Sequence, residues 1–173
     1  MTKNKSLKLI LSIVNIVYMT ILTFSIDPFN ENYSMTTWNI GGYLKILLMF
    51  ILVSVDLYIS AKRISNKYLY FSFGPIIGSI LPYNELNRGL ISETHVFLAY
   101  VGFFFVIALT LINIFYFTSY NNKKGNLLLK IFVFILFVDI LYYLHSFGVI
   151  AIEQYIILIT VIIINTYMYI DGN

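Results

Sequence analysis

The sequence predicts an all-α integral membrane protein: a six-transmembrane-helix bundle with short loops, forming one transmembrane domain over residues 1–173. Three observations predict it. Hydrophobic residues make up 60% of the chain and charged residues only 11%, against about 45–50% and about 25% in soluble domains. A chain this short has too much surface for its volume to hide that apolar excess, so the excess must face lipid. Finally, the apolar residues fall in runs that suit the bilayer, and the mean hydropathy is +0.85. A spanning helix needs about 20 mostly apolar residues, and the runs 7–26, 42–61, 96–117, 127–145 and 149–170 meet that length.

The sixth element is less regular. Leu69 to Pro82 reads LYFSFGPIIGSILP, and Gly74-Pro75 interrupts it. A re-entrant loop and a kinked span both accommodate that interruption, because neighbours in a membrane can satisfy the freed backbone groups. Basic residues in short loops mark the cytoplasmic side, and this rule separates the two. Lys3, Lys5 and Lys8 precede the first span, Lys62, Arg63 and Lys67 follow the second, and Lys123 and Lys124 follow the 96–117 run. If 67–86 crosses, kinked at Gly74-Pro75, all three clusters share one side. The expectation is therefore six crossings in the cell (cytoplasmic) membrane, with N- and C-termini cytoplasmic. The N-terminal apolar run is too long for a secretory h-region and lacks a small-residue cleavage site, so it is retained as a span.

The opposite side then carries the loop 27–41, with Asp27 and Glu31 but no Lys or Arg, the loop 83–95 with Arg88, and the turn at 146–148. Trp38 and Tyr43 flank the entrance to the second span, as interfacial aromatics do. The richness in Ile, Asn, Lys and Tyr, with the first alanine at Ala61, resembles the coding bias of AT-rich bacterial genomes.

Charges inside the membrane are expensive and are default candidates for function. They are Lys45 and Asp56 in the second span, Lys130 and Asp139 in the fifth, and Glu153 in the sixth, with His145 at the end of the fifth. Depth places Lys45 level with Asp139, and Asp56 level with Lys130. Two such pairs would fix spans two and five antiparallel. Lys45 and Lys130 also lie near enough to span ends to snorkel. Asp139, between Phe137-Val138 and Ile140-Leu141, is the harder charge to explain away, and a ligand, proton or ion role is open beside structural pairing. Glu153 and His145 face each other across a short turn, either as a local hydrogen bond or as a pH-responsive mouth. Asn15, Asn113 and Asn165 suit interhelical hydrogen bonds. Gly74 and Gly78 form G-x-x-x-G, a spacing that lets helices approach closely.

Chemistry is harder to find. With no cysteine and two distant histidines, a metal site is not expected. H-E-x-x-H, G-x-S-x-G and P-loop patterns are absent from the sequence, and no cofactor is implied. The small positive charge of +3 reads as topology rather than nucleic-acid binding. The functional expectation is a non-enzymatic accessory or interaction subunit of a membrane assembly, with secretion, envelope or toxin-immunity roles in view and a membrane protein as partner. The alternative is a small-solute-binding or transport subunit with an outward site near Trp38, Arg88, Asp139, His145 and Glu153. In size and span count alone the chain resembles the substrate-capture subunits of vitamin transporters, whose Ala-rich first helix it lacks.

Overall fold

A computed structural model describes residues 3–29, 31–34, 37, 40–83, 89–146 and 151–172. The chain is an all-α bundle, and among the described residues five helices are long and apolar enough to cross a membrane. They are α1 (Lys3–Thr23), α2 (Ile40–Ile64), α4 (Leu90–Thr118), α5 (Asn122–Ser146) and α6 (Ala151–Asp171), with a six-residue α3 (Gly74–Ser79) between α2 and α4. The chain is thus a multi-pass membrane protein embedded in lipid.

The expected sixth spanning helix over 67–86 is not there. A 3-10 helix, Asn66–Phe73, passes directly into α3. The physical reason lies at Gly74-Pro75. Proline has no backbone N–H to offer a preceding carbonyl, and its ring clashes with a continuing α ladder on its N-terminal side. The residues before it therefore coil more tightly, and the Gly74 N–H bonds to the Phe71 carbonyl in the i, i+3 pattern. Pro75 then occupies the first turn of α3, where its missing donor costs nothing. The six residues of α3 extend only about 9 Å, so the kinked span of the sequence reading is a broken segment instead.

This segment is held by α2 and α4, with α3 packed most closely on α4. Tyr43, in the first turn of α2, donates its hydroxyl to the Ile80 carbonyl at 2.8 Å. The broken segment therefore ends beside the start of α2. Its contact with α4 uses small residues on both sides. A Cβ built at Gly74 would lie 2.5 Å from the Gly102 carbonyl oxygen, and one at Gly78 would lie 3.3 Å from the Ala99 Cα.

Both chain ends lie at one end of the bundle, where basic residues converge on the last turn of α6. Lys5 Nζ donates to the Ile170 carbonyl at 2.6 Å. The Arg63 guanidinium donates to the Met168 and Tyr169 carbonyls at 3.0 and 2.5 Å and lies 5.3 Å from the Tyr169 ring centre. Lys124 pairs with Asp171 at 2.9 Å. Lys5 and Arg63 thus answer the carbonyls that a helix C-terminus leaves without intrahelical donors. At the far end the loop after α1 folds back over the start of α6. The Ala151 and Ile152 N–H groups donate to the Glu31 and Pro28 carbonyls at 2.7 and 3.0 Å.

Replacing Gly102 with Ala should force α3 and α4 apart and lower stability by about 1–3 kcal/mol, because its Cβ would overlap the Gly74 backbone. Gly89→Ala, where a Cβ meets nothing within 4 Å, should leave the midpoint of thermal unfolding in detergent unchanged. Equal midpoints for the two variants would refute this packing.

Candidate functional site: a buried ion pair at the junction of three helices

Asp56 is completely buried, and so is Lys8. Lys8 Nζ lies 2.5 Å from Asp56 Oδ2 and donates also to the Asp56 carbonyl at 2.8 Å. The second carboxylate oxygen, Oδ1, is 2.7 Å from Ser12 Oγ, one helical turn beyond Lys8. Ser12 Oγ is in turn 2.6 Å from Thr166 Oγ1. A hydroxyl has one proton. With that of Ser12 directed at the carboxylate, the Thr166 hydroxyl donates to Ser12. The chain Lys8–Asp56–Ser12–Thr166 thus links α1, α2 and α6.

A carboxylate or an ammonium group removed from water carries a penalty of several kcal/mol, which their attraction offsets only when geometry and extra hydrogen bonds are good. Here both carboxylate oxygens have donors and the ammonium has two acceptors. The arrangement is a satisfied charge pair that fixes which faces of three helices meet.

This geometry corrects the sequence reading in two places. Lys8 is not a loop cation of the N-terminal cluster, since it lies in α1 with its side chain turned inward. The proposed pairs Lys45–Asp139 and Asp56–Lys130 do not form, because α2 and α5 do not touch. Lys45 and Lys130 are exposed on the bundle surface. Asp139 is half-buried on α5 and near enough to Glu153, in the first turn of α6, for the two carboxyl groups to interact electrostatically. Glu153 is buried, whereas His145 is exposed on the last turn of α5. Trp38 and Arg88 lie outside the described residues, as does most of the turn at 146–148.

A second polar link lies beside it, at the same level of α6. Asn113 Nδ2 donates to Asn165 Oδ1, and Asn165 Nδ2 donates to the Val161 carbonyl at 2.8 Å and to Thr110 Oγ1 at 3.1 Å. This joins α6 to α4. Among the described residues the buried Asn113 Oδ1 has no hydrogen-bond partner, and Asn113 borders a crevice lined also by Ser60, Arg63 and Asn165. The crevice holds about 20 Å³, room for one water molecule. Asn15 Nδ2 donates to the Leu52 carbonyl at 3.1 Å, joining α1 to α2.

The far end has a cluster that the sequence reading missed. His95 is buried near the start of α4. Its Nδ1–H donates to the Leu81 carbonyl at 2.6 Å, so Nε2 accepts from the Ser34 hydroxyl at 2.9 Å. The ring packs on Tyr83 with centroids 5.5 Å apart. Thr37 Oγ1 accepts from the Tyr83 N–H at 2.8 Å. One imidazole thus ties the loop after α1 to the segment after α3. Nearby, the buried Tyr33 hydroxyl bonds Thr23 Oγ1. Burial raises the Tyr33 phenol to about 12, with the Thr23 hydrogen bond opposing the rise.

No family model, no curated protein and no solved structure matches this chain.

Removing one member of the buried pair should be far worse than removing both. Lys8→Met or Asp56→Leu alone leaves an uncompensated charge and should cost about 3–5 kcal/mol. The double substitution should recover most of that loss, read as thermal midpoints of the detergent-solubilised protein. A double variant no more stable than either single one would show that the pair is not the source of the effect.

Proposed function

We propose that this multi-pass membrane protein is a non-enzymatic accessory subunit that acts by contact with another membrane protein, in an assembly of the secretion, envelope or toxin-neutralising kind. What carries this reading is the use made of the interior polar groups. Lys8, Asp56, Ser12 and Thr166 are committed to one another, and Asn113, Asn165 and Thr110 join α4 to α6. Groups that could hold a solute or relay a proton instead hold helices. Such a body presents apolar helix faces of fixed shape to its surroundings, which suits recognition within the bilayer.

We place the basic end, with Lys5, Arg63 and Lys124, in the cytoplasm. Support comes from the positive-inside bias together with the convergence of those residues on one end of the bundle. The far end, with Asp27 and Glu31, then faces outward.

A second reading, an outward-facing solute site, draws on one observation: half-buried Asp139 on α5 and buried Glu153 in the first turn of α6 are near enough to interact electrostatically. Two neighbouring carboxyl groups there would suit a cationic solute or a proton.

Two experiments test these proposals. Purification from native membranes with mass spectrometry should recover a membrane-protein partner at fixed stoichiometry, and Asp139→Asn should leave that recovery intact. A chain recovered alone, with a small molecule that Asp139→Asn abolishes, would replace the first reading with the second. For orientation, the absence of cysteine allows single-cysteine labelling. In intact cells an impermeant maleimide should modify Ser25→Cys and spare Lys123→Cys. The opposite pattern would invert the assignment.

A further inference from the structure

We infer that the outward face of α5 is a binding site for an anionic phospholipid, with Lys130 holding the headgroup phosphate. The inference is independent of the accessory role. It begins with the position of α5 in the bundle. Among the described helices α5 touches only α4 and α6, and 6% of its spanning stretch is buried, against 61% for α6. Its outward side is therefore the most lipid-exposed surface of the protein.

On that side lies a hollow lined by Leu129, Lys130, Val133, Phe134 and Phe137. Lys130, Val133, Phe134 and Phe137 are all exposed. The hollow is apolar except at one end, where Lys130 stands. Lys130 is eight residues past Asn122, the first residue of α5, and so roughly 12 Å from the helix start. Side chains on a helix lean toward its N-terminus. The N-terminus of α5 is at the basic end, since Lys124 in its first turn pairs with Asp171. The Lys130 ammonium is thus directed toward the headgroup region of that leaflet, while Val133, Phe134 and Phe137 continue the hollow toward the bilayer centre.

This polarity matches a phospholipid: phosphate at Lys130, acyl chain along the valine and the two phenylalanines. The charge of the occupant follows from the residues around it. Lys123 lies on the same side of α5, seven residues and so nearly two turns before Lys130. The one acidic residue of α5, Asp139, is nine residues on, which at 100° per residue is the opposite side of the helix. Among the described residues Lys130 forms no ion pair. A neutral or zwitterionic headgroup would leave these two cations without a matching net charge, and an anionic one supplies it. Lysines near the cytoplasmic surface draw anionic lipid with about 1 kcal/mol each.

The test is lipid retention by the full chain. The protein is reconstituted in equal phosphatidylglycerol and phosphatidylethanolamine, re-extracted in mild detergent, and its retained lipids are quantified by native mass spectrometry. Phosphatidylglycerol should be enriched about fivefold. Lys130→Gln should lose most of the enrichment, Lys130→Arg should keep it, and Lys62→Gln, an exposed cation at the same end but on α2, should also keep it. Unchanged thermal midpoints establish that each variant is folded. Retention at the bulk ratio by the unaltered chain, or full enrichment by Lys130→Gln, would overturn the proposal. So would efficient disulfide-linked dimers of Phe134→Cys in liposomes, which would show that a second copy of the chain covers this face.

Discussion

The bundle is organised around the need to give both oxygens of the buried Asp56 carboxyl a partner. An aspartate there is tolerated only beside a cation and a hydroxyl, and both come from α1: Lys8 and, one turn on, Ser12. That spacing places the two side chains on one face of α1, and it dictates how α1 is rotated against α2. Thr166 extends the same chain to α6. Other polar links run along α6. Asn165 bonds Asn113 and Thr110 of α4, and the Tyr155 hydroxyl meets Thr20 of α1 at 2.8 Å. In lipid, apolar contact alone gives little preference for one helix rotation over another, so these directional bonds supply the specificity.

The broken segment between α2 and α4 follows from a related constraint. A 3-10 helix next to a proline is an irregular backbone, which lipid could not hydrogen-bond. It is acceptable here because α2 and α4 shelter it. Shelter demands close approach, and Gly74, Gly78, Gly102 and Ala99 permit it. Weak Cα–H···O contacts accompany approaches of this kind between helices. The same small residues that allow the break therefore also hold it in place.

The long helices were legible in the sequence because their length and hydropathy are set by bilayer thickness. The number of spanning helices was not, because hydropathy measures transfer into lipid and does not distinguish an α-helix from a 3-10 turn followed by a short helix. Gly74-Pro75 marked the irregularity but not whether it would bend a helix or end one. Asp56 stood out as an intramembrane charge. Its partner did not, because depth along the membrane normal says nothing about which helices are neighbours. Matching depths favoured α5, which α2 never touches. Lys8 was hidden in a run of N-terminal lysines, three residues after one that caps α6. His95 was hidden for a different reason: its partners, the Leu81 carbonyl and Ser34, lie 14 and 61 residues away, and no local pattern encodes them.

One further regularity ties these findings together. Over their most apolar stretches, α5 has the highest mean hydropathy of the five spanning helices and the least burial, while α6 has the lowest hydropathy and the most burial. A water-soluble protein shows the reverse, because there burial removes apolar surface from water. In a bilayer the apolar side chain is already at ease on the outside, and it is the asparagine, the threonine and the ion pair that need protein around them. Polarity therefore decides position in the bundle. α6 sits at the centre because it carries Glu153, Asn165 and Thr166, and α5, whose outward residues beyond Lys130 are apolar, sits at the edge. By that logic an exposed lysine on α5 is the exception, and the counter-charge it lacks among the described residues is the one an anionic lipid would supply.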